Sequence, residues 1–351
     1  MTHRRATGNL RRSGLSQRPR LFSRALAICA FALIVTACGG DGSSERDGDF
    51  AAVLRPLDDP FYATMRDGLQ TTARRHGVPI AVQAAANLQD TAGQAAALEA
   101  LANDQADCYV VDPIDQTNLF PSLAQIAQGT PIVNLDSPVD PAVADAMGVR
   151  ITTYIGTDNV AAGRLAAEAM AGRVPAGARV AVITGISGDA GSVGRTQGFI
   201  EGARGRFNVV STLEADFDPA NAYRAAVELI GTKGGVDGIF AVSDEMALGA
   251  ARAVSSGGRS EKVAVIGMGG IPEALAAVRR GDMSATVAQY PYTIGQLGVE
   301  ACLAATRGKT VPATVAAPIQ LITPENVARA QLSLPRPAEH FEDPLAPLLR
   351  S

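Results

Sequence analysis

The sequence predicts an α/β protein made of two similar doubly wound lobes, each a parallel sheet with helices on both faces. Three observations carry that expectation. Short runs of Val, Ile and Ala alternate with helical periods along most of the chain, and near-continuous apolar strands of this kind belong to parallel sheets covered on both sides. There are more such elements than one doubly wound sheet holds. The length, 351 residues, exceeds what one compact core usually fills.

A strand at 50–54 leads to Asp59-Pro60, read as N-cap and first helical residue of a helix that Gly77 stops. A strand at 80–83 and an Ala-rich helix at 91–103 follow. Next come a strand at 108–112, a helix at 116–128, a strand at 131–136 and, after a loop, a strand at 154–156. The pattern then restarts with helix 160–173, strand 180–184, helix 192–206 and strand 209–214. It continues through helix 220–232, strand 238–243, helix 244–255, strand 263–267, helix 272–280 and strand 285–289.

Apolar residues make up 47% of the chain and charged ones 19%, a globular composition. The net charge of −4 hides an asymmetry: the first 37 residues carry seven Arg and no Asp or Glu, so the remainder carries −11. Such a surface repels phosphate backbones, which argues against nucleic acid as a partner.

Residues 1–37 read as an export signal, with an Arg-rich stretch before an uncharged apolar run at 25–36, too short to span a bilayer comfortably. The run ends in Val35-Thr36-Ala37-Cys38 before two glycines. This resembles the lipobox of bacterial lipoproteins, in which the Cys thiol is lipidated and becomes the new N-terminus. Lipidation at Cys38 would anchor the chain on the extracytoplasmic face of the cell membrane, since two acyl chains hold where one does not. Residues 38–48 read as a flexible tether. The paired Arg at 4–5 and 11–12 leave the export route open.

Of the four Cys, only Cys108 and Cys302 remain in the body. A disulfide is permitted outside the cytoplasm; one Cys opens an apolar strand and the other sits on an apolar helix face, so two buried thiols are the blander expectation. Two His in the body, His76 and His340, leave little material for a metal site, and no cofactor is expected.

Ligands of doubly wound folds sit beyond the carboxyl ends of the strands. There the sequence places Asp59, Asp112, Asp136, Ser243-Asp244 and Gln289, with Phe61, Tyr62 and Phe217 nearby and Arg55 and Arg195 as cations. No Gly-x-Ser-x-Gly turn and no strand-end His appear. The first strand runs into Arg55-Pro56-Leu57-Asp58-Asp59, which is not a dinucleotide fingerprint. Glycines at 185, 188, 191 and 194 lack phosphate-loop spacing, Gly308-Lys309-Thr310 lacks the first glycine of a nucleotide loop, and Asp216/Asp218 lack the rest of a calcium loop. No enzyme chemistry is expected.

Several segments taken together resemble the ribose-type branch of the periplasmic binding proteins, the receptors of sugar ATP-binding-cassette (ABC) importers. Asp59-Pro60-Phe61-Tyr62 is similar to the family's Asn-Pro-Phe-Phe opening. Asp112-Pro113, Pro131 to Asp136, Ile155 to Asn159, Arg195 to Phe199, Asp216-Phe217-Asp218, Asp244 to Gly249, Val265-Ile266-Gly267 and Ala285 to Gln289 follow in the family's order, over about residues 50 to 325.

The resemblance implies the periplasmic binding protein-like I fold, with three hinge crossings near 156–158, 289–291 and 316–320. It divides the chain into an N-terminal lobe of 49–156 plus 290–316, a C-terminal lobe of 157–289 plus 317–332, and a Pro-rich tail, 333–351, expected as a disordered extension. The ligand would be a monosaccharide or polyol held between the lobes and delivered to a membrane permease, the receptor acting as a monomer. Polar contacts would fall on Asp59, Asp112, Asp136, Arg195, Ser243 and Gln289, and stacking contacts on Phe61, Tyr62 and Phe217. Asp244 is expected to cap its helix, and a salt bridge between Asp136 and Arg195 is the simplest structural alternative for that pair.

Two positions depart from the family. Gly269 stands where many members place an Asp, and Arg55 replaces a small polar residue, which raises the question of a ligand bearing an acidic group. A lipoprotein sensor reporting to a membrane receptor or kinase is the alternative function. A repressor of the same fold would need an N-terminal DNA-binding helix pair where this sequence has its lipobox.

Overall fold

The strands of the first lobe show why its sheet is covered on both sides. In the computed structural model, which describes residues 48–258 and 262–350, Phe50, Ala52 and Leu54 of β1 (Phe50–Leu54) point to one face, and Ala51 and Val53 to the other. All five are buried, as alternation across a two-sided sheet requires. The export signal, Cys38 and nearly all of the tether lie outside the described residues.

The lobe continues with α1 (Pro60–His76), β2 (Ile80–Ala84), α2 (Thr91–Asn103), β3 (Cys108–Val111), α3 (Phe120–Leu123), β4 (Ile132–Leu135), α4 (Pro141–Met147) and β5 (Thr153–Thr157). The second lobe comprises α5 (Asn159–Ala171), β6 (Arg179–Thr184), α6 (Ala190–Ala203), β7 (Asn208–Glu214), α7 (Pro219–Gly231), β8 (Gly238–Ala241), α8 (Asp244–Ser256), β9 (Ala264–Gly269), α9 (Pro272–Arg280) and β10 (Ala285–Gln289). The chain then returns to the first lobe with α10 (Pro291–Thr306), packed on α1, and β11 (Thr314–Ala317). It goes back to the second with β12 (Ile319–Ile322) and α11 (Val327–Ser333).

The two six-stranded sheets have matching orders, β11-β5-β4-β3-β1-β2 and β12-β10-β9-β8-β6-β7. Among the described residues every pairing is parallel except β10 with β12, which is antiparallel. That exception follows from the connection: β12 starts two residues after β11 ends, which leaves no room for a crossover.

Aspartate side chains open the helices. Asp59, Asp90, Asp140, Asp158, Asp189 and Asp218 each accept a first-turn amide, a cap worth about 1 kcal/mol. The α5 and α6 helices meet through glycine: a Cβ on Gly163 would overlap the Arg195 carbonyl, and one on Gly198 the Val160 carbonyl. This close crossing fixes α6, and Arg195 with it, against the start of α5.

The structure corrects four expectations. The helix expected at 116–128 shrinks to α3, because the Asp115 carboxylate takes the Thr117 amide and hydroxyl and holds that segment as a turn. A helix not foreseen, α4, occupies the loop after β4, between Asp140-Pro141 and a left-handed Gly148. Cys108 of β3 and Cys302 of α10 are joined in a disulfide, with Cα atoms 5.7 Å apart, rather than left as thiols. The Pro-rich tail is packed: Leu345 is fully buried in the first lobe's core, with Phe341, Leu348 and Leu349 against it.

Candidate functional site

The carboxyl ends of both sheets supply the site, and each lobe builds its half differently. In the first lobe Arg55 leaves β1 and anchors its guanidinium to the ends of neighbouring elements. Its Nε donates to the Pro113 carbonyl (2.8 Å), one terminal nitrogen to the Tyr62 hydroxyl (3.0 Å) and the other to the Ile114 carbonyl (3.2 Å). Asp112 lies 3.7 Å from Nε and is completely enclosed, its two carboxyl oxygens without a hydrogen-bond partner.

Burial raises the Asp112 carboxyl well above its usual range, with Arg55 pulling it back and Asp136 pushing it further. Burial opposes the Arg55 cation, but Tyr62, Asp112 and Asp136 outweigh it and raise its value. A buried charge survives only when paired in this way.

Asp136, directly after β4, lies in the left-handed region, φ 49°, a conformation that costs a non-glycine residue energy and needs support. The support is visible. Tyr154 of β5 donates its hydroxyl to the Asp136 carbonyl (2.6 Å), and the Asp136 amide donates to Ile155. The buried Asn134 side chain ties down the carbonyls of Val111 and Ser137 and the amide of Val139. Burial raises the Asp136 carboxyl too, and Arg55 and Arg195 lower it.

In the second lobe Arg195 projects from α6. Its Nε donates to Asn159 (2.8 Å), one terminal nitrogen to the Val242 carbonyl (2.9 Å) and the other to the Gln289 side chain (3.2 Å). Gln289 in turn donates to the Thr157 hydroxyl (2.8 Å), tying together two segments where the chain passes between lobes. Burial depresses the Arg195 guanidinium, with Asp136 and Asp189 raising it again, and it stays cationic at any working pH. Arg195 and Asp136 therefore feel each other across the cleft, but the salt bridge considered for them is not formed.

The aromatic residues divide between lobes. Phe61 and Tyr62 pack edge to face at 5.3 Å in the first turn of α1. Phe217 follows β7 with φ 59°, next to Asp216 at φ 55°. Its ring lies so close over Gly185 that a Cβ there would overlap it, so Gly185 is what lets the ring lie flat against the strand end.

The remaining expected residues serve their own elements. Asp59 is exposed and caps α1 through the Phe61 amide (2.8 Å). Ser243, not Asp244, is the N-cap of α8. Asp244 is buried and accepts from Thr286 (2.6 Å), Gly270 (2.5 Å) and Ile271 (3.0 Å). A carboxylate thus does approach Gly269, but it is turned into the β9–α9 loop. Tyr154, Thr157, Asn159 and Asp189 carried no expected role; the first three lie in or beside Ile155 to Asn159, one of the segments similar to the family, which was the available signal.

The described residues contain no cluster of His, Cys, Asp and Glu able to hold a metal, and none of their helices is long and apolar enough to cross a membrane.

The model of the periplasmic binding protein domain matches residues 50–310. This chain belongs to the ribose-type periplasmic binding protein family. It is a solute-binding protein, not an enzyme. Among its relatives is a ribose import binding protein of Bacillus subtilis, 31% identical over 83% of this chain and 95% of the relative. A D-allose-binding periplasmic protein of Escherichia coli is 32% identical over 78% of this chain and 90% of the relative. A solved ABC-transporter solute-binding protein of Actinobacillus succinogenes with bound D-allose superimposes with a TM-score of 0.73 at 26% identity, covering 80% of this chain and 99% of that one.

Proposed function

We propose that this binding protein captures a small, uncharged, hydroxyl-rich solute, a monosaccharide or polyol, between its lobes. It then delivers the solute to an ABC-importer permease while anchored to the outer face of the membrane through lipid on Cys38. Relatives that bind ribose and D-allose support the ligand class, and the sequence around Cys38 supports the anchor.

The observation that carries the reading is how the two cations are used. All three nitrogens of Arg55 and all three of Arg195 already donate within the protein. The Asp136 carboxyl faces both cations, while that of Asp112 is fully enclosed behind Arg55. A guest with many hydroxyls supplies donors to such a surface and accepts from the arginine hydrogens that remain. A carboxylate or phosphate would meet acidic groups and no uncommitted cation. Arg55 therefore stiffens the wall of the cleft and does not mark an acidic ligand. Phe61 and Phe217, both only partly buried, offer faces for the C–H side of a ring, and the buried Tyr62 packs behind Phe61. Asp136 and Arg195 make the principal polar contacts, and Asp112 acts from behind through Arg55.

Thermal unfolding with a panel of neutral pentoses, hexoses and polyols, set against aldonic acids and sugar phosphates, tests this. A neutral member at 100 times its dissociation constant stabilises the fold by about 2.7 kcal/mol. Stabilisation by the acids alone would refute the assignment.

A further inference from the structure

The tail does more than fill a surface groove. Leu334 packs on the second lobe's core, and α11 just before it lies against α9. Leu345 is fully buried in the first lobe's core, and the short 3-10 turn after it, Ala346–Leu349, rests on α10. Between Leu334 and Leu345 the chain passes from one lobe to the other for a fourth time, beyond the passages after β5, β10 and β11.

On the way it grips the residues that flank two of those passages. The Arg336 guanidinium sits 4.5 Å above the Tyr292 ring and donates to its hydroxyl (2.9 Å); Tyr292 is in the first turn of α10, directly after the β10 passage. Two residues on, the Ala338 amide donates to the Gln320 side-chain oxygen (3.3 Å). That oxygen also accepts from the Tyr290 hydroxyl (2.7 Å), and Gln320 lies on β12, directly after the β11 passage. Glu339 reaches back to Arg329 of α11 (3.2 Å). Any hinge rotation must move Tyr292 and Gln320 relative to each other, because they belong to different lobes.

We propose that residues 335–345 are a brace across the hinge, which sets its resting angle and limits how far the lobes swing apart. The span is long enough to slacken if its ends alone held it, so the mid-span grips on Tyr292 and Gln320 give it stiffness. Without the brace the hinge rests on three connections and samples wider openings.

The test is the interlobe distance distribution in the full chain without ligand. It is read by electron–electron double resonance between spin labels at Glu99→Cys on α2 and Glu228→Cys on α7, both exposed positions. Arg336→Ala, which removes one mid-span grip, and Leu345→Asp, which expels the far anchor, should each broaden the distribution and shift its mean to longer distance. Arg336→Ala touches neither core and decides the matter alone if Leu345→Asp loses its fold. Distributions that superimpose on the parent's would overturn the proposal.

Discussion

Asp136 combines three properties that rarely coincide: a left-handed backbone, a carboxyl raised by burial, and a place facing the cation of the other lobe. The first two cost stability, and the third offsets part of that cost. Asp136→Asn is therefore expected to leave the ligand-free midpoint equal or higher while weakening binding by about 1.5–3 kcal/mol, the worth of a hydrogen bond to a charged group. Calorimetric titration beside thermal unfolding separates the two effects. The raised carboxyls add a pH signature. Hydroxyl donors favour the ionised form, so binding should release protons, and affinity should rise as pH climbs above the ordinary carboxylate range. Titrations in buffers of different ionisation enthalpy would show it; proton uptake would contradict it. At this scale the sequence was legible where a residue type and a strand end coincided, as for Asp136 and Arg195. It was not legible where the partner decides the role: nothing in the order of residues says that Arg55 turns its nitrogens onto Tyr62 and two carbonyls.

Elements were easiest to read where capping and periodicity agree, as in α1, framed by Asp59-Pro60 and Gly77. The same frame, Asp140-Pro141 and Gly148, marks α4, whose single turn or two is too short for a periodic pattern to show. The antiparallel β12 and the disulfide escaped for another reason. Strand direction and cysteine pairing are set by distant contacts, and Cys108 and Cys302 are 194 positions apart in the chain. That bond pins β3 to α10, so the segment that returns from the second lobe is tied covalently to the first lobe's sheet. Cys302→Ser is expected to lower stability by about 2–4 kcal/mol while leaving affinity unchanged at temperatures where the fold persists. Denaturant unfolding under oxidising and reducing conditions measures it, and coincident curves would contradict it.

Across the whole molecule, buried acids give stability a particular pH dependence. Burial, then Asp343, pushes Glu300 up to about 8, with Gln296 and Arg75 opposing; burial pushes Asp244 up to about 7 against its three hydrogen bonds. The folded state thus holds protons that the unfolded chain has released. The contribution is complete below the ordinary carboxylate range and is lost as pH rises through 7 and 8, by up to about 1.4 kcal/mol per unit for each group. The midpoint should be higher at pH 5.5 than at pH 8.5, and Glu300→Gln should narrow the gap. A midpoint that climbs over that range would contradict the assignment. The twin-lobed plan was readable from repeated strand–helix alternation. The route of the tail was not, since its prolines outweighed Phe341, Leu345, Leu348 and Leu349, the apolar residues that dock it.

If the lobes close on a neutral polyhydroxyl guest held by Asp136 and Arg195, the molecule contracts when the guest binds. Small-angle scattering, with and without the sugar or polyol that stabilises the protein best, measures that contraction. At a ligand concentration that fills about 90% of the parent's sites, the radius of gyration should fall in the parent and fall clearly less in Asp136→Asn and Arg195→Ala. Calorimetric binding with no contraction in the parent, or equal contraction in all three proteins, would contradict it.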